Sequence, residues 1–137
     1  MAQIVGLDFG IKRTGISISD SKQIIASPFK TIESTQLVQF LSSLVREYNI
    51  QEIVLGFPVK LDGNDTHITQ NVLQLKEILE KKFGLIKVHL QDERFTSKIA
   101  RQTISKIGSN KNKRDKALVD QVSATLILQD FLNRKKL

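Results

Sequence analysis

The sequence predicts an α/β protein in which helices flank a five-stranded mixed sheet. Three strand-like segments follow one another near the amino terminus, before any helical pattern begins. Farther along, segments with apolar residues at helical spacing alternate with short apolar runs. The composition, 40% hydrophobic and 26% charged residues, is typical of a globular domain. Together these observations favour a sheet that begins as a meander and continues with helix-connected strands.

The first three strands are predicted at residues 3–9, 14–19 and 23–26. The first is mostly apolar, and the second alternates Ile16 and Ile18 with Ser17 and Ser19. The third follows the turn-like sequence at residues 20–22. Their connections are too short for crossover helices, so the three strands are expected to form an antiparallel meander.

The rest of the chain reads as alternating helices and strands. The first helix is marked by apolar residues at helical spacing, with Ser34 or Thr35 as its N-cap: Leu37, Phe40, Leu41, Leu44, Val45 and Tyr48. A buried strand at residues 52–57 comes next. A second helix is marked by a further apolar series and closed by Gly84: Ile68, Val72, Leu75, Leu79 and Phe83. A fifth strand at residues 85–91 and helices at about 96–106 and 115–132 complete the order.

This order places parallel, helix-covered strands after the meander, which is the arrangement of the ribonuclease H-like fold. The chain shows no internal repeat and no Pro/Gly/Ser-rich linker, so residues 1–137 are predicted to form a single domain. With no cysteine, the chain has neither disulfides nor Cys-ligated metal. No apolar stretch approaches the roughly 18 residues of a spanning helix, and the first residues lack a signal-peptide pattern. A cytoplasmic protein without a membrane partner is expected.

Charge favours a nucleic-acid partner. Twenty-one Lys and Arg residues against 14 Asp and Glu residues give a net charge of +7. Basic side chains bind phosphates and release condensed counterions, which drives association with nucleic acid. Residues 108–116 concentrate four basic side chains, and residues 134–136 are all basic. A solvated, flexible loop would explain residues 108–116 equally well.

Three groups of acidic residues form a candidate site. Asp8 lies near the end of the first strand on the face of Ile4 and Gly6, although it could simply cap the following turn. Asp92 and Glu93 follow the fifth strand, where a solvated salt-bridge cluster is the alternative. Asp120 lies in line with a core-facing stripe of its helix, and helix-dipole placement does not explain that inward orientation.

Carboxylates from two strand ends and one helix suit a hard divalent cation such as Mg²⁺. Two such ions can activate water and stabilise the leaving oxygen in phosphodiester hydrolysis. His67 and His89 have no partner at metal-ligand spacing and are expected to be surface or edge residues without a role.

Four blocks, in order along nearly the whole chain, resemble the YqgF family: residues 6–15, residues 56–58 with 62–63, residues 92–97 and the helix of Asp120. The members of this family are described as Holliday-junction-resolvase-like proteins with a ribonuclease H-like fold, and as nucleases that mature the 5′ end of pre-16S ribosomal RNA in the bacterial cytoplasm. The resemblance implies that Asp8, Glu93 and Asp120 form the catalytic, metal-binding triad, with Mg²⁺ or Mn²⁺ as cofactor.

One feature departs from related resolvases, in which the second acid usually ends the fourth strand. Here that strand ends in Gly56-Phe57-Pro58, so Glu93 would have to act from the next strand, roughly 9–10 Å from the backbone of Asp8. Asp92 is the fallback ligand. The candidate phosphate-binding residues are Lys12, Arg13, Arg94, Lys111, Lys113 and Arg114.

The resulting hypothesis is a metal-dependent endonuclease that acts on an rRNA precursor, with ribosomal particles as a further partner. The alternatives are a Holliday junction resolvase that acts on branched DNA and a non-catalytic rRNA-binding assembly factor. The segment Asp8-Phe9-Gly10 with Gly15 also resembles the phosphate hairpin of actin-like ATPases. Those enzymes need two such domains, and 137 residues supply one. Neither RNA-versus-DNA preference nor oligomeric state follows from the sequence.

Overall fold

The computed structural model describes residues 2–57, 67–92 and 113–135, with side chains in the second and third ranges described from residues 69 and 116 onward. The strands are β1 (Gln3–Phe9), β2 (Arg13–Ser19), β3 (Ala26–Glu33), β4 (Ile50–Phe57) and β5 (Lys87–Asp92). The α-helices are α1 (Leu37–Glu47), α2 (His67–Lys82) and α3 (Lys113–Lys135). The helix predicted at residues 96–106 lies outside the described residues.

The five strands form one sheet in the order β3-β2-β1-β4-β5. β1 pairs antiparallel with β2, which pairs antiparallel with β3. On its other side β1 pairs parallel with β4, and β4 pairs parallel with β5. The predicted mixed sheet is therefore confirmed, and the carboxyl ends of β1, β4 and β5 lie at the same edge.

Each face of the sheet buries its own set of side chains. Alternate positions such as Val5 and Leu7 pack against α1 and α2 in a large apolar core. The residues between them face α3, where the buried apolar residues are Ile4, Ala26, Val54, Ile127, Leu128 and Leu132. Because direction alternates residue by residue, Ile4, Gly6 and Asp8 of β1 all lie on the α3 face.

Two glycines allow α3 to lie close to the sheet. A Cβ atom on Gly15 would lie 2.0 Å from the carbonyl oxygen of Asp120, and one on Gly6 would lie 2.7 Å from Cβ of Leu128. Between them, Ser17 Oγ donates a 2.8 Å hydrogen bond to the carbonyl oxygen of Ala124. The position of α3 therefore depends on the absence of side chains at Gly6 and Gly15.

The predicted position of the third strand was wrong. Residues 23–25 form part of a turn, and β3 begins only at Ala26. The Asp20 side chain accepts hydrogen bonds from the backbone N–H groups of Ile24 (2.7 Å) and Ile25 (2.9 Å), and Gln23 has a positive φ of 59°. Two adjacent isoleucines suggested a strand, but local side chain-to-backbone hydrogen bonds determine the turn instead.

The predicted N-cap of the first helix was also wrong. Ser34–Gln36 form a 3₁₀ turn before α1, and the residue at the N-cap, Gln36, makes no side-chain cap hydrogen bond. Ser34 Oγ instead donates a 2.5 Å hydrogen bond to the carbonyl oxygen of Gly10 and lies 2.8 Å from Thr14 Oγ1. This hydroxyl ties the β1–β2 hairpin to the end of β3.

The remaining elements follow the predictions with shifted ends. α3 begins two residues before and ends three residues after the predicted helix, and α2 ends just before Gly84. Within the described ranges, none of the helices combines the length and apolar character needed to cross a membrane.

Candidate active site

Asp8 lies one residue before the carboxyl end of β1, on the face covered by α3. Its antiparallel partner in β2 is Gly15, and directly opposed residues in such a pair share a face of the sheet. Asp8 therefore lies at the edge where the parallel strands end, which is where ligands bind in open α/β sheets.

Asp120 approaches the same place from α3. A Cβ atom on Gly15 would lie 2.9 Å from Cβ of Asp120, so Gly15 is the point of contact between β2 and this residue. Farther along the helix, Ala124 and Ile127 are buried against the sheet, and the Asp120 side chain is only 18% exposed. The predicted inward stripe is therefore present, and Asp8 and Asp120 both adjoin Gly15.

Arg13, predicted to contact phosphate, pairs with a carboxylate. Its Nε donates to Oδ2 of Asp120, while the Arg13 side chain remains 42% exposed. A tight turn with a 3.0 Å hydrogen bond from Gly10 N to the Arg13 carbonyl oxygen holds its backbone. A shallow cavity of about 270 Å³ lies here, lined by Gly10, Ile11, Lys12, Arg13 and Asp120. The sequence offered no signal for this ion pair, since its partners are 107 residues apart.

Asp92 lies on the other face of the sheet from Asp8. It ends β5 level with Phe57, whose side chain packs against the α1–α2 core. The preceding residue, Gln91, is buried and donates a 2.5 Å hydrogen bond to Oδ2 of Asp130 on α3. Side-chain alternation therefore directs Asp92 toward the α2 side, away from α3. The other candidates in this segment, Glu93 and Arg94, lie outside the described residues.

Several of the predicted phosphate-binding residues are close in sequence to Asp8 or to Asp120. Lys12 is exposed beside the cavity. Lys113 and Arg114 occupy the first turn of α3, whereas Lys111 lies outside the described residues. Lys116 is exposed one helical turn before Asp120. It was not among the predicted phosphate-binding residues, although its place in the basic segment at residues 108–116 could have indicated it.

A second charged cluster lies at the opposite edge of the sheet. Oε1 of Glu52 lies 2.8 Å from Nε2 of His89, and Oε2 accepts a hydrogen bond from Nζ of Lys135. The His89 ring also packs on Phe131, with 4.9 Å between ring centroids. Burial alone would raise the pKa of Glu52, but the hydrogen bonds from Lys135 and His89 outweigh it and hold this pKa below its ordinary value. His89 thus lies on an edge strand, as predicted, and joins β5 to α3.

The donor atoms at the carboxyl edge of the parallel strands suit a hard cation. Asp8 and Asp120 both present carboxylate oxygens, the ligands that Mg²⁺ and Mn²⁺ prefer. In the part of the chain that the structure describes, no three His, Asp or Glu residues are grouped closely enough to hold a metal ion. Two of the three predicted ligands are thus placed near each other, and the third lies outside that part.

Comparison with known proteins agrees with this architecture. A chain of Thermus thermophilus RuvC bound to a Holliday junction has a TM-score of 0.60 at 11% identity, covering 99% of this chain and 97% of that one. The fowlpox virus resolvase bound to Holliday junction DNA has a TM-score of 0.58 at 17% identity, with coverage of 97% and 98%. At such identities these likenesses show the fold alone, which is the predicted ribonuclease H-like fold.

Sequence relatives are much closer. A Bacteroides fragilis protein named "Putative pre-16S rRNA nuclease" is 37% identical over 138 residues, covering 100% of both chains. A Flavobacterium psychrophilum protein of the same name is 39% identical over 136 residues, covering 98% of this chain and 99% of that one. The family described as "RuvX: Holliday junction resolvase" matches residues 2–134. With that match across nearly its whole length, the chain belongs to the RuvX family.

Proposed function

We propose that this protein is a metal-dependent endonuclease that processes the 5′ end of pre-16S rRNA. The observation that carries the proposal is the placement of Asp8 and Asp120 beside Gly15, at the carboxyl edge of the parallel strands. Membership of the RuvX family supports a hydrolase that acts on nucleic acid. The full-length relatives named for pre-16S rRNA favour an RNA precursor as substrate.

Asp8, Asp120 and Glu93 are the proposed ligands of Mg²⁺ or Mn²⁺, and their negative charges would attract the divalent ion. When bound, the metal supplies the Lewis-acid chemistry that phosphodiester hydrolysis requires. Glu93 remains the third ligand in this proposal because the family resemblance implies it. The fallback, Asp92, is less suitable because it lies on the other face of the sheet from Asp8.

The protein's own side chains position the acids and bind the substrate. β1 lies between β2 and β4, and Asp8 pairs with Gly15 of β2, so the sheet holds the backbone that carries Asp8. The cavity beside Asp120 is open to solvent and bordered by the exposed Lys12. Lys12, with the other predicted basic residues, would hold the phosphates on either side of the scissile bond: Arg13, Arg94, Lys111, Lys113 and Arg114. These contacts would orient the substrate without reading its sequence.

The cellular setting follows from the proposed substrate. A nuclease for pre-16S rRNA would act in the bacterial cytoplasm, on free precursor or on ribosomal particles. Residues 1–137 would act as one domain, since both proposed acids belong to elements packed on a single sheet.

Cleavage of branched DNA is the second candidate, and the description of the RuvX family favours it. A resolvase must cut two strands of a junction symmetrically and therefore needs two active sites, whereas trimming one RNA end needs one. Substrate choice and the symmetry of the products thus separate the two candidates.

A side-by-side cleavage assay tests the proposal. Precursor 16S RNA, a four-way DNA junction and single strands are incubated with Mg²⁺ or Mn²⁺, and Asp8→Asn is compared with the wild type. Asp130→Asn is the matched control: Asp130 is about half exposed on α3, and the amide oxygen of the variant can still accept the hydrogen bond from Gln91. We expect metal-dependent cleavage of the precursor by the wild type and the control, and none by Asp8→Asn.

Wild-type rates of cleavage by Asp8→Asn, with contaminating nuclease excluded, would overturn the metal mechanism. No cleavage by the wild type would favour a non-catalytic assembly factor.

A further inference from the structure

The ion pair between Arg13 and Asp120 joins two residues with different proposed partners. Asp120 is a proposed metal ligand, and Arg13 was predicted to bind phosphate, yet Nε of Arg13 donates directly to Oδ2 of Asp120. A carboxylate oxygen that accepts this hydrogen bond must give it up, or share it, to coordinate a metal ion. The guanidinium therefore occupies a position for which a divalent cation would compete.

We propose that Arg13 is an exchangeable counter-ion, which neutralises Asp120 in the metal-free protein and is displaced when a divalent cation binds. The proposal rests on the metal site of the proposed function and adds a coupling between metal binding and phosphate binding. Once displaced, the guanidinium would be available to a substrate phosphate at the mouth of the 270 Å³ cavity. Arg13 is thus a positioning residue for nucleic acid that metal binding releases.

The burial of the two side chains fits an exchange. Asp120 is only 18% exposed and, like Asp8, adjoins Gly15, so a nearby cation offsets the repulsion between the two carboxylates. Arg13 is 42% exposed, so its guanidinium can leave Asp120 and become hydrated at little cost. A divalent ion carries twice the charge and can be bound by both acids, which favours it over the guanidinium.

The backbone around Arg13 allows the side chain to move alone. The hydrogen bond between Gly10 N and the Arg13 carbonyl oxygen closes the turn, and Arg13 pairs with Glu33 at the start of β2. Ser34 Oγ binds the same hairpin through the Gly10 carbonyl oxygen. With the main chain held from both sides, the guanidinium can leave Asp120 by a change of side-chain rotamer while the hairpin stays in place.

Mn²⁺ binding without nucleic acid tests the exchange, using calorimetry or the electron paramagnetic resonance signal of free Mn²⁺. Arg13→Gln should bind Mn²⁺ about five- to tenfold more tightly than the wild type, because the competing cation is gone. Arg13→Lys, which keeps the charge, should lie between them. Lys22→Gln is the matched control: it removes one positive charge from the exposed turn at the other end of β2 from Arg13, and its affinity should change less than about twofold.

Thermal unfolding separates exchange from a merely structural ion pair. In EDTA, Arg13→Gln should melt below the wild type, because the ion pair between Arg13 and Asp120 is lost. In saturating Mn²⁺ that deficit should vanish or reverse, since the variant gains more from metal binding. An equal decrease in melting temperature in EDTA and in Mn²⁺ would show that the ion pair has a structural role only, and it would overturn the exchange.

The outcomes also distinguish this proposal from the proposed function. Mn²⁺ binding that is lost in Asp120→Asn but unchanged in Arg13→Gln would overturn the exchange and leave the metal site standing. Equal tightening in Arg13→Gln and Lys22→Gln would replace the exchange with a general field effect. If the wild type binds no Mn²⁺, or binds it equally well after Asp120→Asn, the metal site itself fails and the exchange fails with it.

Discussion

The two edges of the sheet both carry acids that pair with cations of other elements, but the arrangements differ. At the amino edge, Glu52 is 13% exposed and is held by two partners, His89 and Lys135. At the carboxyl edge, the 42% exposed Arg13 pairs with Asp120 beside a cavity that is open to solvent. The first arrangement fastens α3 to the sheet, whereas the second leaves a partly exposed cation that can move.

Cavity size does not identify the functional edge. The cavity near Glu52 has a volume of about 650 Å³, against about 270 Å³ near Asp120. The smaller one, however, lies where parallel strands end and where Asp8 and Asp120 adjoin the same glycine. The chemistry of the lining and the direction of the strands therefore locate the candidate site better than volume does.

The largest difference between the two edges should appear in the cleavage rate when one acid at each edge is replaced by its amide. Asp120→Asn should reduce metal-dependent cleavage at least about a hundredfold, because metal ions contribute several kcal/mol to such reactions. Glu52→Gln should retain cleavage once its lower stability is allowed for. Both are measured as initial rates on precursor RNA below the melting range. A comparable loss in Glu52→Gln would mean that the two edges are not functionally distinct.

The close approach of α3 to the carboxyl edge should be the next most sensitive feature. Gly15→Ala should lower the free energy of unfolding by about 2–3 kcal/mol, because the new Cβ would meet the backbone of Asp120 and the helix would have to shift. Urea denaturation measures the change. Gly84→Ala is the control, since a Cβ there meets nothing within 4 Å. Equal stability of both variants would show that α3 is not held by contact at Gly15.

Phosphate binding should also differ between the edges. Replacing Lys111, Lys113 and Arg114 by alanine should reduce the log–log salt dependence of RNA binding by about 0.7–0.9 for each lost phosphate contact. Three basic residues around the start of β5 serve as the control of equal charge: Lys81, Lys82 and Lys87. A filter-binding titration at several salt concentrations measures both slopes. If the two triple variants give the same slope, the basic residues at positions 111–114 make no specific contribution.

The smallest effect concerns acid stability at the amino edge. The folded-state pKa of Glu52 is lowered, so its charged form contributes stability at neutral pH that is lost as pH falls below the ordinary glutamate range. Glu52→Gln should cost about 1 kcal/mol at pH 7 and progressively less in acid. Glu80→Gln, which breaks an exposed pair with Lys76, should cost close to nothing at any pH. A loss of stability in Glu52→Gln that does not change with pH would contradict this account.

Most of the architecture could be predicted from the sequence, because it depends on local patterns. The run at Gln3–Phe9 was predicted with its observed ends, and the short connections required an antiparallel meander. The position of β3 could not be predicted from apolar content. It is an edge strand with mostly exposed side chains and a proline, and the Asp20 side chain turns the more apolar segment before it.

The sequence by itself also determined which acids are candidates, since periodicity placed Asp8 at a strand end and Asp120 on the buried stripe of α3. Only the tertiary structure decided how they meet. The contact of Gly15 with Asp120 and the pairing of Arg13 with that carboxylate join residues about a hundred positions apart. Likewise, the register of β5 against β4 assigned Asp92 to the opposite face. Hydrophobic spacing reports which side of an element is buried, but the partner across the interface depends on how separate elements pack, and local sequence does not encode that choice.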